Sequence, residues 1–198
     1  MASRFEDQSY SLEKYLALEK TSREKHEFFQ GRLYLMAGGS PNHSLIATNL
    51  SRQLGNALEE RPCRVFSSDL QVYVKSKDLV TYPNVSVVCG DLTYAGDDRN
   101  LVTNPLLIAE VLSPTTAGYD QTTKFNLYKG LDSLEDYLLV DSRTMSVIYF
   151  HKLGLNQWGQ QIFSQPEDTF RVQSLGIELS LARIYAKVEF DPDNQTLR

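Results

Sequence analysis

Tyr82-Pro83-Asn84-Val85-Ser86-Val87-Val88-Cys89, followed after a polar connection by Pro105-Leu106-Leu107-Ile108-Ala109-Glu110-Val111-Leu112-Ser113-Pro114, is the stretch on which the fold turns. Both runs are short, rich in β-branched residues or Leu, and bounded by Pro or Gly, as strands buried on both faces are. Each carries a polar residue where such a strand should have none: Asn84 and Glu110. A carboxylate buried alone costs several kcal/mol, roughly, so Glu110 must meet a cation, a metal or a proton. A divalent-metal site is the reading adopted, with a structural pairing to Lys or Arg as the alternative.

Working outward, Ser9 to Glu19 is expected to form a helix with Ser11 able to cap it. A hairpin follows, His26 to Phe29 and Arg32 to Met36, turning at Gln30-Gly31. Pro41 suits the first turn of a helix running from Asn42 to Glu60, in which Leu45, Ile46, Leu50, Leu54 and Leu58 recur at helical spacing. Strands are expected at Cys63 to Phe66 and Leu70 to Lys75, and Gly90 to Asn104 is expected to be a mobile acidic loop. A helix over Tyr119 to Lys129, strands at Asp136 to Asp141, Thr144 to His151 and Gln157 to Gln165, a short extended piece at Leu175 to Leu179 and a last helix from Leu181 to Val188 complete the order. This is an α+β or mixed α/β plan, a twisted central sheet flanked by helices. The 198 residues, 41% hydrophobic and 23% charged, suit one domain with flexible tails at 1–8 and 191–198.

The same numbers exclude several classes. No segment is long and apolar enough for a membrane helix, and Met1 to Glu13 lacks the apolar core of a signal peptide, which places the expected protein in the cytoplasm. Cys63 and Cys89 accordingly read as reduced, partly buried thiols. The net charge of −5 argues against non-specific coating of nucleic acid but leaves room for an enzyme that meets DNA through a local basic rim. Taken singly, Glu27 is an ambiguous strand-end carboxylate, Lys124 reads as a solvated helix residue, Asp69 as a turn residue, and His43 as a hydrogen-bonded residue at a helix start. Tyr149, Trp158 and Phe163 sit where core or interface residues would, and the outer strands near Trp158 suit a homodimer.

Together these residues form a longer pattern. Lys25-His26-Glu27-Phe28-Phe29 with Gly31, Leu33, Tyr34, Met36, Ala37 and Gly38, then Pro41-Asn42-His43, Ser68-Asp69, Tyr82-Pro83-Asn84-Val85, Ile108 to Pro114, Tyr119-Asp120, Lys124, Tyr128 and Leu138 to Asp141 resemble, in order and over nearly the whole chain, the Uma-type endonuclease-like family. That family is a branch of the PD-(D/E)XK nuclease superfamily. The resemblance implies a restriction-endonuclease-like core and assigns roles: Glu27 and Glu110 match its acidic residues, position 84 its motif aspartate, and Lys124 its lysine, since Leu112 stands where the superfamily lysine usually lies. It implies Mg²⁺ or Mn²⁺ as cofactor, bound by Asn84 and Glu110, and DNA as substrate. Asn84 departs from the pattern and removes a full negative charge, so weak metal affinity and reduced cleavage are expected. A catalytically degenerate module that binds nucleic acid or protein is the second hypothesis.

Overall fold

Hydrophobic alternation along Leu107–Leu112 dictates the layering of the molecule. Leu107, Ala109 and Val111 point into one apolar core, while Ile108 and Leu112 point into another, as the period of two in a strand requires. A computed structural model describes residues 9–113 and 123–191. In chain order the elements are α1 (Leu12–Glu19), β1 (His26–Phe29), β2 (Arg32–Leu35), α2 (Pro41–Leu58), β3 (Cys63–Ser67), β4 (Gln71–Val74), β5 (Leu79–Thr81), β6 (Val85–Cys89), β7 (Leu101–Val102) and β8 (Leu107–Leu112). After the gap come α3 (Phe125–Tyr128), β9 (Asp136–Asp141), β10 (Val147–Gly154), β11 (Gln157–Phe163), β12 (Thr169–Val172), β13 (Ile177–Ser180) and α4 (Leu181–Ile184).

Six strands, in the order β11-β10-β9-β8-β6-β3, form the sheet that contains the quoted runs. Its β8–β9 pair is parallel and its other pairs are antiparallel. One face is covered by α2, whose Ile46, Leu50, Leu54 and Leu58 pack on Val85, Val87, Leu107 and Ala109, joined by residues of β12, β13 and α4. The other face meets a second sheet, β2-β1-β5-β4-β7, through Val72, Val74 and Leu79, together with Phe125 and Tyr128 of α3. The mixed α/β plan holds, but a second sheet does much of the covering expected of helices.

Local chemistry explains the elements. The β1–β2 hairpin turns on Gln30 (φ +47°) and Gly31 (φ +80°), and a Cβ on Gly31 would come within 2.8 Å of Ser9 Oγ. Ser11 caps α1 and Ser40 caps α2, each accepting from a backbone N–H at 3.2 Å. No helix among the described residues is long and apolar enough to cross a membrane.

Three expectations change. The Gly90 to Asn104 connection contains β7, where Leu101 and Val102 are fully buried and pair in parallel with β4, because two apolar residues suffice to extend an existing sheet edge. Cys63 and Cys89 are not free thiols: they lie directly opposite each other on β3 and β6 and form a disulfide. Cross-strand register, invisible in a separation of 26 residues, brings them together. Residues 119–122 of the helix expected over Tyr119 to Lys129 lie outside the described residues, which show its remainder as the short α3, and the last helix stops at Ile184, with Lys187 beyond it at φ +63°.

Candidate active site at the junction of the two sheets

Glu110 is 3% exposed and projects from β8 toward the second sheet, on the same face as Ile108 and Leu112. Its Oε1 accepts a hydrogen bond from Tyr128 Oη at 2.7 Å and pairs with Lys124 Nζ at 2.9 Å. The same ammonium pairs with Glu27 Oε1 at 3.0 Å. Glu27 arrives from β1, where the β1–β5 register sets it opposite Thr81, whose hydroxyl donates to Glu27 Oε1. Thr81 Oγ1 lies 3.4 Å from Tyr128 Oη and closes the cluster. Two carboxylates thus share one ammonium, leaving one formal negative charge among the three.

Tyr128 is held far above the ordinary phenol range, first by burial and then by the charges of Glu110 and Glu27, so it remains a donor. Tyr128 follows Lys124 by four residues, which puts both on one helix face. Asn84 sits just beyond β5, where the chain crosses from one sheet to the other. Its Oδ1 accepts from Val111 N at 2.8 Å, and its backbone N–H is directed at Glu110 Oε2 at 3.4 Å. That long contact leaves Oε2 much less engaged than Oε1.

His43, on the first turn of α2, also approaches. Its ring lies so close to Gly39 that a Cβ there would come within 2.4 Å of Nδ1. Burial lowers its pKa from the ordinary 6.5, opposed by the Glu110 charge and a hydrogen bond to the Val111 backbone. His43 is therefore both a helix-start residue and a neighbour of the cluster. Asp69 is not part of it: it lies in a turn and pairs with Lys25.

Of the four residues singled out in the sequence, Glu27, Glu110 and Lys124 converge through their side chains, and Asn84 joins them through its backbone N–H while its side chain bonds Val111 N. Sequence reasoning gave Tyr128 no separate role, although its spacing from Lys124 was a usable signal. Thr81 carried no signal, because a threonine ending a three-residue strand is unremarkable until its cross-strand partner is known.

Two hard oxygen donors, a Glu110 carboxylate oxygen and the Asn84 amide oxygen, are the groups here that could face a divalent cation. Among the described residues no group of three His, Cys, Asp or Glu side chains could enclose a metal ion. Glu110 Oε2 is lightly engaged, and the Asn84 amide oxygen retains a second lone pair.

A second buried polar cluster occupies the opposite face of the β1–β5 pair. Glu19 Oε1 accepts from His26 N at 2.9 Å and Tyr82 Oη at 2.7 Å, and Glu19 Oε2 lies 3.0 Å from His26 Nδ1. Gln71 Nε2 donates to Tyr82 Oη at 2.9 Å and Tyr15 Oη at 3.1 Å, while Tyr15 donates to His26 O at 2.7 Å. A cavity of about 550 Å³ between α2 and α4, lined by Asn49, Arg52, Gln53 and Arg183, includes no member of either cluster.

A mixed α/β core gathers two carboxylates and a lysine where its two sheets meet, and known proteins share the fold. The crystal structure of an Anabaena variabilis protein described as a "putative nuclease belonging to DUF820" overlays on 91% of this chain and 99% of its own, with a TM-score of 0.73. At 18% identity that likeness establishes the restriction-endonuclease-like fold. The model of the Uma2 family, described as "Putative restriction endonuclease", matches residues 12–183, and the chain belongs to that family. Two Synechocystis relatives, each called an uncharacterized protein, are also similar. One, slr1290, is 37% identical over 180 residues, 91% of this chain and 93% of its own length. The other, sll1609, is 38% identical over 144 residues, 73% of this chain and 81% of its own.

Proposed function

We propose that the protein is a metal-dependent endodeoxyribonuclease that hydrolyses phosphodiester bonds in DNA with Mg²⁺ or Mn²⁺, its turnover held low by Asn84. The observation that carries this reading is the meeting of Glu27, Asn84, Glu110 and Lys124, from separate elements, with one Glu110 oxygen left lightly engaged. The family's description as a restriction endonuclease supports DNA as the substrate.

Glu110 Oε2 and Asn84 Oδ1 would hold the cation, which when bound neutralises phosphate charge and lowers the pKa of a bound water. The chain's own groups prepare the rest. Lys124 supplies a fixed positive charge for the charge that develops on the phosphate. Glu27 anchors that ammonium from the second sheet. Tyr128, as a neutral phenol, ties Glu110 Oε1 down, so Oε2 is the oxygen available to a ligand.

A second reading is favoured by one feature. Asn84 Oδ1 already serves Val111 N, and the other half of the amide is an NH₂ donor where an aspartate offers an acceptor. A degenerate member that binds nucleic acid or protein without cutting would have such a site. Nicking of supercoiled DNA with Mg²⁺ or Mn²⁺ separates the two readings. The nuclease reading expects slow, metal-dependent nicking by the wild type, faster nicking by Asn84→Asp and none by Glu110→Gln. Binding without nicking by both wild type and Asn84→Asp would favour the module.

A further inference from the structure

Among the described residues, the large hydrophobic side chains left exposed are Leu153 (65%), Leu155 (89%) and Ile162 (62%), all on the β10–β11 hairpin. β11 is the terminal strand of the six-stranded sheet and, among the described residues, pairs only with β10. Its sequence, Gln157-Trp158-Gly159-Gln160-Gln161-Ile162-Phe163, contains no charge and no proline. Protein edges are ordinarily blunted by charge, proline or shortness. The other edges here follow that rule, since β3 carries Arg64, β2 carries Arg32 and β7 is two residues long.

We propose that β11 is a homodimer interface, pairing antiparallel with β11 of a second copy so that two six-stranded sheets become one. Symmetry fixes the register. A two-fold axis that exchanges antiparallel neighbours runs normal to the sheet and sets one residue opposite itself. Only an axis through Gln160 pairs all seven residues. It sets Trp158 opposite Ile162 of the second copy, twice, on the face that carries Gln160. An aromatic side chain across from a β-branched one is a favourable cross-strand pair. Trp158 is already seated for that role, half-buried and edge-on to Phe125 with ring centroids 5.2 Å apart. Ile162 gains the cover it lacks in one copy. The absence of charge along the strand means that no like charges meet at the axis. The second copy is thus the partner this edge fits, independently of whether the protein cuts DNA.

Sedimentation velocity over a concentration series tests the proposal on the full chain, with emission from Trp158, the single tryptophan, as a local reporter. The wild type should dimerise, and its emission should shift to the blue as dimer forms. Gln160→Lys and Gln160→Glu, each with wild-type circular dichroism, should each weaken the dimer about fivefold by setting like charges face to face. Their mixture should restore it, because Lys then faces Glu. Ile162→Lys should weaken it more than about tenfold through loss of buried apolar surface. A wild type that stays monomeric throughout overturns the proposal. So does a dimer that ignores charge at Gln160, or a mixture no tighter than its components.

Discussion

The two buried polar clusters share their strands yet differ in how completely their carboxylates are engaged. Alternation along β1 sends His26 to one face and Glu27 to the other, and the chain leaving β5 divides Thr81 and Tyr82 in the same way. In the His26 cluster one carboxylate, Glu19, has donors on both oxygens and every member leans on another. In the Glu27 cluster two carboxylates crowd one ammonium, and Glu110 Oε2 is left with a contact of 3.4 Å. A fully satisfied network fixes α1 against its sheet. An incompletely satisfied one leaves a buried acceptor open, which is what the proposed cation site requires. Burial alone would not separate the two, whereas the accounting of lone pairs does.

The largest difference between the clusters is expected from Lys124→Met. Removing the shared ammonium leaves Glu27 and Glu110 buried side by side, and the unfolding free energy should fall by about 3–5 kcal/mol in urea denaturation. An unchanged urea midpoint would mean that the two carboxylates are already relieved by something other than Lys124. Next in size is a matched pair, Glu19→Gln and Glu110→Gln. Each removes a charged acceptor from a buried network and should cost about 1–3 kcal/mol. Calorimetry should then show Mn²⁺ binding lost only in Glu110→Gln; equal loss in Glu19→Gln would dissolve the distinction between the clusters.

A smaller effect concerns His43, whose pKa in the folded protein lies below 6.5 chiefly through burial. Above 6.5 the ring is neutral in both states. As the pH falls below that value the unfolded chain takes up the proton first, so stability present at neutral pH is lost down to the folded pKa. His43→Gln should therefore lose less stability than the wild type between neutral and mildly acidic pH. An imidazole titration by NMR with a midpoint at or above 6.5 would contradict the assignment.

Particular residues show how far the sequence could be read. Glu110 was conspicuous because a carboxylate in an apolar strand demands a partner, and its alternation with Ile108 and Leu112 already implied the face it occupies. The β1–β2 hairpin and α2 were legible from Gln30-Gly31 and from Pro41 with the apolar period that follows it. Lys124 was legible only through the family resemblance, since one lysine on a short helix has no periodic signature. The β5 and β7 strands were missed, being three and two residues long, too short for any period to register. Thr81 and the Cys63–Cys89 disulfide depend on cross-strand register, which is a tertiary property. The departure at Asn84 was visible in the sequence, but its engagement with Val111 N needed the neighbouring strand in place.

Calorimetric titration of Mn²⁺ into the wild type and Asn84→Asp, side by side, reads what position 84 contributes to the ion site. If Glu110 and position 84 hold the ion and the amide weakens it, restoring the carboxylate should tighten binding by roughly tenfold or more, with one ion bound per chain. Identical isotherms for the two proteins, or binding that survives Glu110→Gln, would contradict it.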